Sequence, residues 1–555
     1  MKLLWIDLNS SYSHSSLALP AIHAQMPEDS EIQWVRVSVT INENVGMIVE
    51  KIFQHKPDIL AGTLWLFNHE IMLHICSRLR ALLPKSIIVL GGPEFLGDNV
   101  DFLEKNQCVD CVFRGEGEES FPLWLKFIND KSQWSSIMGL CYLDDNKNYV
   151  DGGIARVIDF SALNPPECSE FFNWSKPFVQ LETTRGCFNT CSFCVSGGEK
   201  PVRNLDMSQI KERLEEIQSH GIYNVRVLDR TFNYDTTRAK ELFSLFMEFP
   251  EIQYHLEIHP ALLSPALRAE LVNLPKGLLH LEAGIQSLRE DVLKISMRKG
   301  KLSAALDGLE FLCSLDNMIT HTDLIAGLPL YTLDQIYEDV IVLARLGADE
   351  IQLESLKLLP GTVMRRDAKH LGIVYSPYPP YEVLHTNEIS ISELQEARLL
   401  SRLLDAFYNC PTWQSLTRKL ILSDDNFLRH FLDYLTRKEI IDNPISLENR
   451  GLILYNYCSE SRGDFIDEAS CAWIEAGMSL KKAPALKVTQ KHFTIPQDWE
   501  IIYGEYRPEL RLTRLPGLNG KVYWFGHSPT ERRTNPIFKA ISADELSESS
   551  KNPPK

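Results

Sequence analysis

Apolar runs and amphipathic stretches alternate regularly along the first 135 residues of the chain. Short apolar runs bounded by turn residues are typical of buried strands, whereas apolar residues spaced three and four apart indicate helices. This alternation predicts a doubly wound α/β domain with a parallel sheet at residues 1–135. The predicted strands are residues 2–8, 32–39, 59–66, 86–91 and 109–114, and two clear helices are 69–83 and 118–128.

A second series of strands and helices occupies residues 177–385, after a predicted hairpin and linker at 136–176. The turn residues Asp144 and Asp145 and the pair Pro165-Pro166 mark that linker. Six strand–helix units follow it. The predicted strands are residues 178–183, 224–229, 254–258, 278–283, 320–325 and 350–359, and the helices include 207–219, 239–249, 265–273 and 333–346.

The rest of the chain is predicted to be a mainly helical extension at residues 386–540 and a disordered polar tail at 541–555. Within residues 505–540, seven Lys or Arg stand against three Glu. This local surplus of positive charge could bind an anionic substrate, or it could only offset the negative charge of the rest of the protein. The predicted helices are residues 392–408, 411–422 and 426–438, and the strand candidates are 493–499 and 521–525.

Composition narrows the class of protein. The chain has 555 residues, of which 44% are hydrophobic and 24% charged, as in ordinary globular proteins of several domains. A formal net charge of -17 argues against a general nucleic-acid binder, which needs a basic face. Asp7 comes too early for a signal peptide, and no apolar run reaches the ~18 residues that span a bilayer. We therefore expect a cytoplasmic protein whose twelve cysteines are thiols or metal ligands.

Three cysteines stand in one short loop after a predicted strand. Cys187, Cys191 and Cys194 have the spacing C-x3-C-x2-C, with Phe193 before the last of them. Three thiolates on one loop can ligate three irons of a 4Fe–4S cluster and leave the fourth iron open to a small molecule. Zinc is the alternative metal, but structural zinc sites usually have four ligands, and the next cysteine along the chain is Cys313.

The cysteine motif and the strand–helix series after it resemble the radical S-adenosylmethionine (SAM) superfamily. The resemblance implies a partial (β/α)6 barrel of the TIM type at residues 177–385. It also implies that the open iron binds SAM, whose reductive cleavage yields a 5′-deoxyadenosyl radical. Cys187, Cys191 and Cys194 would then be both the metal ligands and the catalytic residues. Barrels of this type carry their sites at the carboxyl ends of the strands.

The same resemblance implies that SAM is bound by polar residues and glycines at those strand ends and by two glycines after the cysteines. An ordinary turn glycine or a salt-bridged rim carboxylate is the alternative for each. Arg298 is expected either to pair with a carboxylate or to be solvated. The implied SAM-binding residues are Gly197, Gly198, Asp229, Glu282, Gln286, Asp323 and Gly327.

Glycines also follow the predicted strands of the first domain, where parallel sheets bind their ligands. No G-x-G-x-x-G motif follows the first strand, which disfavours a dinucleotide. The runs at residues 8–19, 62–68, 91–94 and 114–118 resemble the cobalamin-binding domain found ahead of many radical SAM cores. The residues that this resemblance implies for cobalamin are Asn9, His14, Gly62, Thr63, Gly91, Gly92, Glu94, Gly115 and Glu116.

His14 departs from one cobalamin pattern. Domains of the mutase type carry D-x-H-x-x-G after the first strand, and its His ligates cobalt. Residues 12–17 keep the His but have neither the Asp nor the Gly. Because a ligating His usually needs a partner that fixes its tautomer, we expect cobalt without a protein His. His14 is then expected to face SAM or substrate, or to be a polar turn residue. For Glu94 and Glu116 the alternative is a solvated loop carboxylate.

Together these resemblances predict a cobalamin-dependent radical SAM enzyme that methylates an unactivated carbon. Cobalt would carry a methyl group from one SAM, and the radical from a second SAM would activate the substrate. The alternatives are ring closure or rearrangement without methyl transfer, and a non-catalytic cobalamin sensor. The expected partners are a small-molecule substrate and an electron donor of the flavodoxin or ferredoxin type, with no membrane. An RNA substrate rests only on the basic C-terminal segment.

Overall fold

A computed structural model describes residues 1–11, 16–484, 496, 498–518, 520–529 and 535–543 of the chain. The chain forms two compact units. The first comprises Met1–Ile336 and Leu353–Gln395, and the second comprises Tyr337–Gln352 and Glu396–Lys555. None of the described helices combines the length and the apolar composition needed to cross a lipid bilayer.

Seven strands form the N-terminal sheet, in the spatial order second, first, third, fourth, fifth, sixth and seventh. They are β1 (Lys2–Asn9), β2 (Gln33–Thr40), β3 (Ile59–Thr63), β4 (Ile87–Gly91), β5 (Cys111–Phe113), β6 (Leu140–Leu143) and β7 (Tyr149–Asp151). The first five are parallel, and β6 and β7 add an antiparallel hairpin beside β5. This order is that of flavodoxin-like sheets, which bind ligands beyond the carboxyl ends of β1 and β3.

Helices cover both faces of this sheet. Along β1, Leu4 and Ile6 belong to one hydrophobic cluster, whereas Leu3 and Trp5 belong to another. Because neighbouring strand residues point to opposite faces, a continuous apolar run supplies both clusters. The predicted doubly wound domain is confirmed. Its helices are α1 (Ala18–His23), α2 (Val45–Phe53), α3 (His69–Leu82), α4 (Val100–Lys105) and α5 (Ser120–Lys126).

β3 ends at Thr63, three residues before the predicted end. The side chain of Asn68 explains the early end. Its Oδ1 accepts from the backbone N–H of Trp65 at 2.8 Å, and its Nδ2 donates to the carbonyls of Leu8 and Thr63 at 3.0 and 3.1 Å. These bonds turn the chain away from the sheet and place the ends of β1 and β3 side by side.

The second large sheet, which we call the core sheet, has six strands that follow one another in both sequence and space. They are β8 (Val179–Leu181), β11 (Asn224–Val227), β12 (Gln253–Ile258), β13 (Leu279–Gln286), β14 (Ile319–Ala326) and β15 (Glu350–Ser355). A two-stranded hairpin, β9 (Thr184–Arg185) with β10 (Arg203–Asn204), lies between the first two in sequence. Along β13 burial alternates strictly, so that His280, Glu282 and Gln286 share the face opposite to the fully buried residues.

Helices connect the core strands as predicted. Three of them have the predicted bounds to the residue: α6 (Met207–Ser219), α8 (Pro265–Asn273) and α11 (Leu333–Leu346). Ser264 caps α8, because its side chain accepts from the N–H of Leu267 and Pro265 occupies the first helical position. The others are α7 (Thr236–Phe246), α9 (Glu290–Ile295) and α10 (Leu302–Cys313). Beyond the sheet lie α12 (Val363–Arg366), β16 (Val374–Tyr375) and β17 (Val383–His385).

The C-terminal part is mainly helical, as predicted, and also contains a small antiparallel sheet. Its helices are α13 (Ile391–Leu403), α14 (Pro411–Ser423), α15 (Phe427–Arg437), α16 (Leu447–Ser461) and α17 (Ile466–Glu475). A π-helical turn, Leu404–Tyr408, continues the first of them. The sheet has the strands β18 (Glu500–Tyr503), β19 (Arg511–Pro516), β20 (Lys521–His527) and β21 (Phe538–Ala543).

The strand candidates and the disordered tail predicted for this region have different outcomes. The strand candidate 521–525 is confirmed within β20, whereas most of the candidate 493–499 lies outside the described residues. Disorder was predicted from residue 541, but residues 541–543 belong to β21, because Ile541 pairs with both Tyr523 and Glu500. Residues 544–555 lie outside the described residues.

Candidate functional site

Cys187, Cys191 and Cys194 line one cavity of about 170 Å³, which we call the cysteine cavity. The hairpin of β9 and β10 brackets their loop. Within the loop the N–H of Cys194 donates to the carbonyl of Cys191 at 3.2 Å, and that of Gly197 to the carbonyl of Cys194 at 3.0 Å. A Cβ on Gly197 would lie 2.2 Å from the Cys191 oxygen, so only glycine allows this close turn.

Backbone bonds fix the loop to distant parts of the first unit. The N–H of Cys187 donates to Glu199 O at 2.9 Å, and the N–H of Ser192 donates to Ser296 O at 2.9 Å. The Ser192 carbonyl in turn accepts from the N–H of Met364 at 2.8 Å. The three thiols are therefore positioned by bonds that leave their sulfur atoms available.

Asp229 does not line the cysteine cavity, although it was predicted to bind SAM. Its side chain is fully buried, and Oδ1 accepts from the N–H groups of Thr183 and Thr184, each at 2.8 Å. Oδ2 accepts from the Thr183 hydroxyl at 2.5 Å. Both oxygens are thus occupied at the end of β8. Asp229 fixes the chain where it enters the cysteine loop, and contact between Asp229 and SAM stays a prediction.

Four side chains from the carboxyl ends of the core strands line the same cavity: Glu257, Glu282, Gln286 and Asp323. Glu257 and Glu282 are paired neighbours on β12 and β13. Burial raises the pKa of Glu257 to about 7. The pKa of Glu282 is lowered, because its Oε2 lies 2.9 Å from Nε2 of His255. Burial raises the pKa of Asp323, which lies 3.0 Å from His321.

Arg298 contacts the cysteine loop directly, and not a carboxylate. Its Nη1 donates to Sγ of Cys191 at 3.5 Å, and its Nη2 donates to the carbonyl of Gly284. Burial raises the pKa of the Cys191 thiol, and the guanidinium of Arg298 opposes that rise. Arg298 therefore favours the thiolate that a metal requires.

His259 also lines the cysteine cavity and is neutral. Burial lowers the pKa of its imidazole to about 4. Nε2 lies 2.9 Å from the carbonyl of Lys299, which can only accept, so this nitrogen carries the proton. Nδ1 accepts from the N–H of Ala261 at 3.3 Å. The ring is thus fixed as a neutral wall of the cavity.

The residues of the cysteine cavity fit an iron–sulfur cluster with a bound small molecule. Three thiols from one loop line it, and three thiolates are a soft ligand set suited to iron. Asn189 is 3% exposed, and its Nδ2 has no acceptor within hydrogen-bonding distance among the described residues. A buried donor of this kind requires an acceptor in the cavity, such as a sulfide or a carboxylate.

Two predicted SAM-binding glycines lie away from this cavity. The N–H of Gly198 donates to Asn189 O at 2.8 Å, so Gly198 closes the loop behind the cysteines. Gly327 has a φ of +90° and faces the side chains of Leu356, Val383 and Leu394. Direct contact of these two glycines with SAM stays a prediction.

A second cavity of about 590 Å³ opens at the carboxyl ends of the N-terminal sheet. We call it the glycine cavity. Gly115 has a φ of +99°, and a Cβ there would lie 2.3 Å from the carbonyl of Ala155. Six of the nine residues predicted to bind cobalamin line it: Gly62, Thr63, Gly91, Gly92, Gly115 and Glu116. The glycines in its wall let a ligand approach the backbone at the carboxyl ends of β3, β4 and β5.

Two further predicted cobalamin residues, Asn9 and Glu94, are not among the residues that line the glycine cavity. Asn9 directs its Nδ2 to the carbonyl of Asp7 at 3.4 Å. Glu94 accepts from the hydroxyl of Tyr381 at 2.7 Å and lies 2.9 Å from Nδ1 of His69. These polar atoms have partners within the protein, and cobalamin binding by Asn9 and Glu94 stays a prediction. His14 lies outside the described residues.

Ion pairs join the wall of the glycine cavity to the hairpin of β9 and β10, which brackets the cysteine loop. Both oxygens of Glu116 accept from Arg203, at 2.7 and 2.8 Å, and Arg185 lies 2.9 Å from Glu118. Burial on its own would raise the pKa of Glu116, but the bonds from Arg203 and the charge of Arg185 lower it. Glu116 is therefore a bridging carboxylate and not a solvated one.

Sequence reasoning missed Glu257 and His259 as cavity residues. The signal was present, because both stand at the carboxyl end of the predicted strand 254–258. The same rule selected Glu282 and Asp323 on the next two strands. The contact of Arg298 with Cys191 had no such signal, because 107 residues separate the two.

Three family models match the chain. The radical SAM superfamily matches residues 181–341, the B12 binding domain matches residues 6–124, and a protein of unknown function (DUF4080) matches residues 369–471. The first covers the cysteine cavity and the second covers most of the glycine cavity. A radical SAM domain with a B12 domain has a 4Fe–4S cluster, SAM and cobalamin as its cofactors.

Individual relatives are distant. The cobalamin-dependent radical SAM methyltransferase TokK of Streptomyces tokunonensis is 22% identical over 57% of this chain and 49% of its own. The chain thus spans about half the length of the curated relatives it matches first. Among solved structures, TsrM from Kitasatospora setae has a TM-score of 0.56 at 15% identity, covering 71% of this chain and 80% of that one. OxsB has a TM-score of 0.60 at 13% identity, covering 84% and 80%. These likenesses establish the fold.

Proposed function

Because the chain belongs to the cobalamin-dependent radical SAM proteins, we propose that it is an enzyme that transfers a methyl group to an unactivated carbon. One observation carries the proposal. Arg230 lines both the cysteine cavity and the glycine cavity, so the two cavities adjoin each other. A substrate held between them can contact both. The methyltransferase name of the relative TokK supports the proposal.

Cys187, Cys191 and Cys194 would hold the cluster, with SAM against Glu282, Gln286 and Asp323. The residues of the glycine cavity, including Gly62 and Gly92, would hold cobalamin. When bound, the cluster supplies the electron for reductive cleavage of SAM, and cobalamin carries the methyl group. The protein orients these groups and excludes water from them.

Two neighbouring carboxyls of the cysteine cavity differ in charge. Glu257, with a pKa of about 7, still carries a proton for part of the time at neutral pH. Glu282 remains ionised, because its pKa is lowered by His255. Glu282 can therefore accept from an ammonium or hydroxyl group of a ligand, whereas Glu257 can donate or take up a proton. Both carboxyls are largely buried, so the hydrogen bond with His255, and not the residue type, separates these two roles.

The proposal is tested by anaerobic reconstitution with iron, sulfide and hydroxocobalamin. We expect about four irons and about one cobalt per chain, and 5′-deoxyadenosine on addition of SAM and a reductant. SAM with a deuterated methyl group, incubated with a small-molecule extract, should then label one product. A chain that binds iron but no cobalt would contradict the methyl-transfer proposal.

Ring closure or rearrangement without methyl transfer is the second candidate, and product mass separates it from the first. Methylation adds one methylene unit, and rearrangement adds none. A non-catalytic sensor is a third candidate. It is disfavoured because Arg298 promotes the thiolate of Cys191, a feature that a vestigial site does not need. Formation of 5′-deoxyadenosine would exclude the sensor.

We also propose a small-molecule substrate and a flavodoxin or ferredoxin as the electron donor. All twelve cysteines are free thiols, which favours a reducing compartment, and we propose the cytoplasm. An RNA substrate rests only on the basic segment at residues 505–540, where seven Lys or Arg stand against three Glu, and it would be dropped if binding to RNA were unmeasurable at moderate salt. Reduction of the cluster by a flavodoxin, followed by its spectrum, tests the donor.

A further inference from the structure

A third cavity of about 560 Å³ lies beside the glycine cavity. Its walls come from α1, from residues 160–168 of the linker and from α6, so we call it the linker cavity. Seven residues line both cavities, among them Leu17, Glu182 and Leu228. The two spaces are therefore continuous, and a ligand that reaches the glycine cavity can extend into the linker cavity.

The linker cavity combines an apolar wall with an acidic rim. Leu163, Pro165, Pro166 and Leu205 supply much of the apolar wall. Five carboxylates line the cavity against two guanidinium groups. Arg185 compensates two of these carboxylates, at 2.9 Å from Glu118 and 2.7 Å from Glu182, and Arg213 compensates Glu167 at 2.8 Å.

The two remaining carboxylates, Glu212 and Glu216, lie on exposed positions of α6 at the rim. No guanidinium among the residues that line the cavity pairs with them, although Nδ1 of His220 lies 3.5 Å from Oε1 of Glu216. The rim therefore carries net negative charge, and the electrostatic field of the entrance favours a cation over an anion.

Two acceptor atoms in the wall have no donor within hydrogen-bonding distance among the described residues. Oε1 of Glu167 accepts from both Nε and Nη2 of Arg213, at 3.0 and 2.8 Å, which leaves Oε2 without a donor. Gln209 donates from Nε2 to Ser161 O at 2.9 Å, which leaves its Oε1 without a donor. The Glu167 side chain is only 4% exposed. Buried acceptors of this kind are stabilised by a ligand that brings a donor.

We propose that the linker cavity holds the far end of the substrate, and that this end is an apolar chain or ring carrying a cationic amino group. The proposal rests on the proposed function, because it extends the same substrate site. The apolar part contacts Leu163, Pro165 and Leu205. The ammonium donates to Glu167 and Gln209 and offsets the rim carboxylates. A carboxylate or phosphate in the same place faces the same unpaired acceptors, and it faces five carboxylates against two guanidinium groups.

The test uses the whole chain and octylammonium as the probe, with octanoate as the anionic control of equal length. Cys168 lines the cavity, and it is the one exposed cysteine among the twelve. The rate at which N-ethylmaleimide alkylates Cys168 therefore reports whether the cavity is occupied. Peptide mass spectrometry measures the rate at that residue. We expect octylammonium to slow the reaction and octanoate to leave it unchanged. Equal protection by both, or protection by neither, would overturn the proposal.

A matched pair of variants on α6 sharpens the test. Glu216→Gln removes a carboxylate that lines the cavity, and Glu215→Gln removes an exposed neighbour that does not. The first should weaken the protection by octylammonium about two- to fivefold, as for an exposed ion pair, and the second should not change it. Because both side chains are exposed, neither change should affect folding. Equal loss of protection in both variants would also overturn the proposal.

Formation of 5′-deoxyadenosine is measured in the same samples. If SAM cleavage is present but octylammonium gives no protection, the linker-cavity proposal fails and the proposed function stands. If protection is present but SAM cleavage is absent, the cavity still binds a cationic ligand and the proposed enzymatic function fails. The two failures are therefore distinguishable.

Discussion

The hydroxyl of Tyr381 donates a 2.7 Å hydrogen bond to Oε2 of Glu94, although 287 residues separate them in the chain. The same oxygen lies 2.9 Å from Nδ1 of His69. Glu94 follows the glycine pair Gly91-Gly92, which lines the glycine cavity. The bond therefore fixes the cavity-lining turn after β4 to the segment that follows the core sheet.

Tyr381→Phe is expected to lower the free energy of unfolding by about 1–2 kcal/mol, because a buried carboxylate loses a donor. The turn at Gly91 should loosen, so cobalamin should be lost more readily than iron. Chemical denaturation and the cobalt-to-iron ratio after reconstitution measure the two effects. Tyr378→Phe is the matched control, because Tyr378 is 71% exposed. Equal effects of the two changes would contradict this role of Tyr381.

Replacement of Cys187, Cys191 or Cys194 by Ala should abolish 5′-deoxyadenosine formation and reduce the iron content to background, since a cluster held by three thiolates cannot spare one. Iron analysis and product chromatography provide the measurement. Cys168→Ala is the control, because that thiol is exposed and does not line the cysteine cavity. Full SAM cleavage in any of the three variants would rule out the cluster assignment.

Arg298→Leu is expected to lower the reduction potential of the cluster by some tens of millivolts. The change removes a positive charge and a hydrogen bond at Cys191, and both stabilise the reduced, more negative cluster. A redox titration followed by electron paramagnetic resonance measures the potential. Arg298→Lys keeps the charge and should give a smaller shift. A higher potential in the Leu variant would contradict the argument.

The raised pKa of Glu257 predicts a specific pH dependence of stability. In the unfolded chain the pKa of this carboxyl has its ordinary value near 4.5, and in the fold it is about 7. The folded state therefore binds the proton more tightly, and this contribution is present in full below pH 4.5 and is lost as the pH rises through 7.

Relative to Glu257→Gln, the wild type should lose about 2 to 3 kcal/mol of unfolding free energy between pH 4.5 and pH 8. Urea unfolding of both proteins before cluster reconstitution, at several pH values, checks this. Glu251→Gln, at an exposed position, should follow the wild type throughout. If the free energies of unfolding of the wild type and of Glu257→Gln change with pH in parallel, the fold does not hold this carboxyl in its protonated form.

Features set by local sequence could be predicted. The bounds of α6, α8 and α11 were predicted to the residue, because periodicity and capping residues such as Ser264 mark helix ends. The placement of Glu282 and Asp323 at one cavity followed from the rule for parallel strands. Whether they bind SAM stays a prediction.

Features set by distant partners could not be predicted. Asp229 and Glu94 look like cavity carboxylates in the sequence, since each follows a strand. In the structure their oxygens are taken by Thr183 and Thr184 and by Tyr381. A sequence shows that a carboxylate stands at a strand end, but its orientation depends on which donors the tertiary structure brings near. Helix ends have no such dependence.

The bonds that hold the cysteine loop have a consequence for the order in which the protein matures. Asp229 fixes its entry, and backbone bonds to Glu199, Ser296 and Met364 fix its course, all without the three sulfur atoms. In a zinc finger, by contrast, folding and metal capture are one event. We therefore expect the chain to fold before iron arrives, so that clusters delivered later would activate protein that is already folded.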